Sequence, residues 1–193
     1  MGRSVEARLG TISHTASIAG SDAGADALLR RLGIARVERL SDFVETLKML
    51  DGVGPIAGNR IASLSCSGGE ASLIADLAVT RDLDFPPLNF TQRAQLIALL
   101  GEKVTLANPL DYHTYIWGDE QKMCSVYDAM LQGEVDVGVL IVDFPRSDLC
   151  DPSAWDCVLN AVAATRKTTM KPLILSISLP ENVDEELIRH LQT

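Results

Sequence analysis

The sequence predicts an α/β fold: a parallel β-sheet with helices on both faces, preceded by an arm and a helical segment. Three observations carry that expectation. From Asn59 onward, short apolar runs alternate with stretches of helical patterning, and such alternation builds parallel sheets through right-handed crossovers. The run "VDVGVLIVDF", residues 135–144, is apolar nearly throughout, as expected of a strand covered on both sides. Finally, 193 residues with 47% hydrophobic and 22% charged side chains suit one sizeable core rather than a disordered chain.

The elements follow in order. Residues 1–20 read as an arm of small and polar residues, 21–58 as a helical connecting segment, and 59–193 as the α/β domain, with the change of style near Gly52. Ser21 or Asp22 caps a helix through "AGADALLRRLG", which stops at Gly33. "IARVERL" is an extended link, and Ser41 caps "DFVETLKML", whose apolar residues are three and four apart. "DGVGPIAGN" holds three glycines and a proline in nine residues, so it is a turn or linker. "RIASLSC" is a buried strand and "SGGEASLIADLAVTRD" a helix. "LDFPPL" reads as a short strand or extended piece, and Thr91 caps "TQRAQLIALLG". "VTLANPLDYHTYIWGD" is a short strand and a long loop, and "DEQKMCSVYDAMLQG" a helix ending at Gly133. After the apolar strand, Asp151 and Pro152 open the helix "SAWDCVLNAVAATRK"; "PLILSISL" is the last strand and "VDEELIRHLQT" begins a final helix.

Composition narrows the function classes. A net charge of −9 offers no basic face for nucleic acid, although small anions remain open to backbone amides. No apolar run is long enough for a membrane span, and "MGRSVEARLG" lacks the core of a signal peptide. Cys66, Cys124, Cys150 and Cys157 lack metal-type spacing, and the three histidines are scattered. The expectation is therefore free thiols, no metal site and a cytoplasmic protein.

In open parallel sheets, ligands sit outside the carboxyl ends of the strands, so the loops to read are "SCSGGE", "NPLDYH", "DFPR" and "LPEN". Ser67, Gly68 and Gly69 between a buried strand and a helix suit a phosphate cradle, since glycines admit an anion close to first-turn amides. The same junction also serves tight packing, and Glu70 would repel a phosphate there. Asn108 to Asp111 is an Asx-Pro turn by composition. Behind it, Tyr112, His113, Tyr115 and Trp117 form an aromatic group, either a packed lid or one wall of a contact surface. Asp143 closes the apolar strand, and Arg146 either answers a phosphate or pairs with Asp143 or Asp148. His14 sits among Ser13, Thr15, Ala16 and Ser17, in no periodic element. It is either an exposed incidental histidine or a nucleophilic imidazole with neighbours small enough to let it enter a tight site.

The run "SHTASIAGSDAGADALLRRLGIARVERLSDFVETL" resembles the phosphohistidine segment of the NDP-forming acyl-CoA synthetases, relatives of succinyl-CoA synthetase, with Ala16 where a glycine is common. "GRS" at Gly2 to Ser4 resembles the lead-in to that histidine. "SCSGGEASLIADLA" is similar to the family's strand-to-helix junction and "ANPLD" to its Asn-Pro-x-Asp. The resemblance implies a flavodoxin-like domain and a mobile loop carrying His14, which passes phosphate between an acyl phosphate and ADP. It also implies that Ser67, Gly68 and Gly69 form one of two helix starts that hold the phosphorylated imidazole. Asn108, Asp111, His113, Asp143 and Arg146 are candidates to line that site.

The family's CoA-binding, first ligase and ATP-grasp domains have no counterpart here, and the last domain is expected to stop one strand short. The chain is therefore expected to be a fragment without turnover of its own. It is expected to bind no cofactor itself, whereas the full enzyme uses CoA, ATP or ADP, and Mg²⁺. Two rivals are a receiver-like phospho-acceptor domain using Asp143 and a flavodoxin-type flavin binder. The first lacks an acidic pair after the first strand and a lysine after the last; the second lacks a hydroxyl-rich phosphate loop.

Overall fold

The computed structural model describes residues 3–15 and 20–191. The chain divides into two compact units, Met1–Asp51 and Gly52–Thr193.

The first unit is helical. α1 spans Val5–Thr15, α2 Asp22–Arg31 and α3 Leu40–Gly52. The arm expected to lie outside any periodic element is thus helical over much of its length. Two local signals explain this: the Ser4 hydroxyl accepts from the Ala7 amide at 3.1 Å, and Glu6 lies in the first turn, where its charge meets the helix dipole. The backbone of His14 falls in the last turn of α1; its side chain, and the expected loop over residues 16–19, lie outside the described residues. Ser21 caps α2, accepting from Gly24. Ser41 does not cap α3. That helix begins two residues earlier, with the Phe43 amide bonded to the Arg39 carbonyl at 3.1 Å, while the Ser41 hydroxyl donates to Asp42. Arg3 joins Asp22 and Glu38, and Arg36 joins Asp22 and Asp26. Those pairs hold the Asp22 carboxyl below its ordinary range, chiefly through Arg36. They are exposed enough to contribute little stability each, and neither α2 nor α3 buries a single residue.

The second unit is a four-stranded, wholly parallel sheet of β1 (Ile61–Ser65), β2 (Leu110–Asp111), β3 (Val137–Val142) and β4 (Leu173–Ile177). Their order is β2-β1-β3-β4, the first four places of a flavodoxin-like sheet. Around it lie α4 (Gly68–Ala78), α5 (Phe90–Leu100), α6 (Glu120–Leu131), α7 (Asp156–Thr168) and α8 (Glu185–Leu191). Every residue of β1 is buried, and Leu64 aligns with Leu110 on one side and Leu140 on the other. Those three leucines, with Leu96, Tyr112, Tyr127 and Met130, are fully buried in the core.

"LDFPPL" is the extended piece rather than the strand, with only a single bridge between Arg60 and Asp84, because Pro86 and Pro87 offer no amides to extend a ladder. α5 is capped by Asn89 rather than Thr91: Asn89 accepts from the Gln92 amide and the Gln92 side chain returns to the Asn89 amide. That reciprocal box satisfies two helix-end donors at once, which Thr91 inside the first turn does not.

Asp136, at the approach to β3, accepts from the Arg60 amide, Nε and Nη2 at 3.0, 3.1 and 2.8 Å. Those bonds hold its carboxyl down at about 2, against an ordinary 3.8. A group depressed on folding stabilises above its unfolded value and loses that contribution as pH falls through the folded one. The Asp136→Asn variant is therefore expected to be less stable than the parent above pH 4 and to converge on it between about pH 4 and 2. Urea midpoints measured from pH 6 to 2 test this; a constant gap across the range refutes it.

Candidate functional site

Parallel pairing brings the carboxyl ends of all four strands to one edge of the sheet. The chain leaves β1 for β2 on one side and β3 lies on the other, so the crevice of the fold opens beyond the ends of β1 and β3. Cys66 and Ser67 emerge there, and α4 begins immediately at Gly68. Ser67 is extended (φ −130°, ψ 123°) and its side chain makes no cap to the helix. Its carbonyl accepts instead from the Ala71 amide at 3.1 Å and the Ser65 hydroxyl at 2.8 Å. Among the described residues, the amides of Gly68, Gly69 and Glu70 have no acceptor. Three open amides at the positive end of a helix form a place for an anion.

The charges around them pull the other way. The Asp111 carboxylate ends β2 beside Gly68, where a Cβ would meet Asp111 Oδ2 at 3.1 Å. Its Oδ1 accepts from the His113 amide at 2.9 Å, and its Oδ2 lies 3.6 Å from His113 Nδ1. Glu70 Oε1 accepts from the Ser178 hydroxyl just past β4, while Glu70 Oε2 is buried without a partner. Asp143, exposed at the end of β3, adds a third carboxylate. Burial, and then Glu70, Asp111 and Asp143, push the Cys66 thiol above its ordinary range. Cys66 is therefore a protonated, unreactive thiol at the rim. The bare amides attract an anion and the carboxylates oppose it.

The other expected residues divide. Asn108 is committed to backbone: its Oδ1 accepts from the Ser63 amide at 3.0 Å, and its Nδ2 donates to Ile61 O at 2.7 Å and Pro86 O at 3.1 Å. It staples the β1–β2 edge. Arg146 pairs through Nε and Nη2 with Asp148 at 3.0 and 2.7 Å, one of the two partners its sequence position allowed. The aromatic group splits up. Tyr112 is fully buried, edge-to-face with Tyr127 at 5.9 Å with the hydroxyls 3.4 Å apart, and burial raises both phenols. His113 (φ 57°) packs against Tyr115 on the surface. Trp117 meets Trp155 edge-on at 5.5 Å, and Trp155 Nε1 donates to the Asp143 carbonyl, which fixes the loop after β3. Beyond that loop a cavity of about 320 Å³ has Phe144, Trp155, Leu159 and Leu187 in its walls. Two features of the rim, Cys66 and the Glu70–Ser178 bridge, escaped the sequence reading. Cys66 was in view beside the glycines, whereas the bridge joins residues 108 positions apart. No group of three or more metal-ligating side chains occurs among the described residues, and no described helix is long and apolar enough to cross a membrane.

Against this geometry, comparison with known proteins is informative. Residues 1–50 match the family model described as the succinyl-CoA ligase like flavodoxin domain. The curated acetate–CoA ligase [ADP-forming] of Methanocaldococcus jannaschii is 26% identical over 110 residues. The chain is similar in part to ADP-forming acetate–CoA ligases. It spans 16% of the length of that relative, whose alignment takes in 57% of this chain. Among solved structures, a dinucleotide forming acetyl-coenzyme A synthetase of Ca. Korarchaeum cryptofilum, in complex with phosphate and ADP, superposes on 98% of this chain with a TM-score of 0.73 at 18% identity, over 39% of its own chain. A Pyrococcus horikoshii OT3 protein superposes on 90% with a TM-score of 0.71, also at 18% identity and over 40% of its own chain. The two structures share the fold.

Proposed function

We propose that this chain is the phosphoryl-carrying part of an ADP-forming acyl-CoA synthetase, which converts an acid, CoA and ATP to acyl-CoA, ADP and phosphate. In the forward direction a nitrogen of the His14 imidazole attacks the γ-phosphorus of ATP; the N–P bond forms, the bond to ADP breaks and the ring proton passes to solvent. The carboxylate of the acid then takes the phosphoryl group, giving an acyl phosphate and free His14. CoA thiolate attacks the acyl carbon and inorganic phosphate leaves. Ser67, Gly68 and Gly69 hold the phosphoryl group while it rides on the ring, and Asp111, His113 and Asp143 line that position. CoA, nucleotide and Mg²⁺ bind to the CoA-binding, first ligase and ATP-grasp domains of such a synthetase rather than to the residues named here.

The single observation behind this reading is the run of unsatisfied amides at the start of α4, opening into the sheet crevice immediately after a buried strand. Its test is to load the complete synthetase with ATP labelled in the γ-phosphate and map the label by mass spectrometry. An acid-labile, base-stable modification on His14 supports the reading; a label elsewhere, or none, ends it. A Gly68→Val variant probes the receiving end. The branched side chain would enter the space between the helix start and Asp111. It is expected to slow phosphoryl transfer through His14 by roughly 100-fold, since close approach of the reacting groups is what the site supplies. Rapid-quench labelling measures it, and parent-like rates would remove the glycines from the mechanism.

A further inference from the structure

Glu70 follows Gly68 and Gly69 in the first turn of α4, and the phosphoryl chemistry above gives its side chain no task. Its Oε1 accepts from the Ser178 hydroxyl, just past β4. In the order β2-β1-β3-β4, β3 lies between that residue and the end of β1, from which α4 springs. Adjacent strands lie about 4.8 Å apart, so Glu70 and Ser178 together span the end of β3. The Glu70 carboxyl therefore sits in the crevice beside the bare amides. Its Oε2 is buried and has no partner.

Such an oxygen is costly unless a donor arrives, because it has given up water and gained no hydrogen bond. Its surroundings supply none. Cys66 follows β1, Asp111 ends β2 and Asp143 ends β3, so a thiol and two further carboxylates share the rim with it, and none of them donates to Oε2. Ser178 is spent on Oε1. A glutamine in the same place would keep the Ser178 bond through its carbonyl and turn an N–H toward an incoming anion. A site for any anion would be better served by that amide. A carboxylate among three amide donors fits instead an oxyanion that brings a proton of its own. The amides donate to its bare oxygens, and its hydroxyl donates to the carboxylate. Inorganic phosphate carries such a hydroxyl at neutral pH, whereas sulfate, of the same shape, does not. Turning an unmatched lone pair toward a look-alike is specificity by repulsion.

We propose that Glu70 makes the start of α4 selective for a protonated phosphoryl group, its Oε2 accepting from the P–OH while the amides of Gly68, Gly69 and Glu70 hold the remaining oxygens. The inference rests on the reading of that helix start as the place where the phosphoryl group is held, and it needs nothing from His14.

The test titrates inorganic phosphate, methyl phosphate and sulfate into the chain and follows the amides of Gly68, Gly69 and Glu70 by heteronuclear NMR. At pH 8 inorganic phosphate, which keeps one hydroxyl, is expected to bind at least about tenfold more tightly than sulfate. Methyl phosphate loses its last P–OH at about pH 6. It is expected to match inorganic phosphate at pH 5.5 and to bind about tenfold more weakly than inorganic phosphate at pH 8. The Glu70→Gln variant, which retains the Ser178 bond, is expected to erase both differences while melting at the parent temperature. The contrast among the three anions in the parent reads out even where the variant fails to fold. Equal affinities for phosphate and sulfate in the parent, or a preference that survives in a folded Glu70→Gln, overturn this inference alone and leave the phosphate cradle standing. Amides that none of the three anions moves sink the cradle and the inference together, and labelling of His14 reports on the carrier separately.

Discussion

Replacing His14 by alanine is expected to abolish the acid-labile phosphorylation of the synthetase and to lower ATP-dependent acyl-CoA formation by about a thousandfold or more, as removing a covalent nucleophile does. Alanine removes the only group at that position able to form an N–P bond and does little else. His14 lies in the last turn of α1, and alanine is the best helix former, so circular dichroism and melting temperature should match the parent. The loss should be equal whether label is offered as ATP or as acyl phosphate, because both half-reactions pass through the same ring. Full activity in the variant would eliminate the phosphohistidine route. Loss from one side only would show that His14 serves a single half-reaction rather than carrying the group between two.

The largest effect on stability is expected at Gln92, which is 3% exposed. Its Oε1 accepts from the Asn89 amide at 3.0 Å, and its Nε2 donates to the Ala129 and Met130 carbonyls at 3.1 and 2.9 Å. One amide thus closes the start of α5 and satisfies carbonyls near the end of α6. Gln92→Leu keeps the volume and strips all three bonds, leaving buried polar groups unmet. A cost of about 3 kcal/mol follows, which for a unit of this size lowers the melting temperature by roughly 10 °C. Gly133→Ala should reproduce part of it, because a Cβ there would lie 2.7 Å from Gln92 Nε2 and push the amide off its partners. Urea unfolding of both variants measures the costs; a Gln92→Leu cost below about 1 kcal/mol would mean that water replaces the lost bonds.

Much of this molecule is written in short-range pattern. The continuous apolar run before Asp143 demanded a strand buried on both faces, and β3 is one. Ser21 and Asp22 announced the start of α2, of which Ser21 is the cap, and the glycine pair after "IASLS" marked a strand-to-helix junction at the sheet's carboxyl edge. Parallel topology then required the strand-end loops to share one rim. The helicity of α1 was the chief short-range feature missed, because hydroxylic and tiny residues leave no apolar stripe to read even where Ser4 and Glu6 favour a helix start.

The sequence by itself determined the parallel sheet and the order of its strands and helices after Asn59, since these follow from neighbours a few residues apart. Only the tertiary structure decided which polar groups at the sheet's carboxyl edge remain free. Asn108 is consumed by the backbone of β1, Arg146 by Asp148 and Tyr112 by the core, while Glu70 reaches across to Ser178. The reason is that hydrogen-bond capacity is finite and is claimed by whichever partner the fold brings near, however distant in the chain.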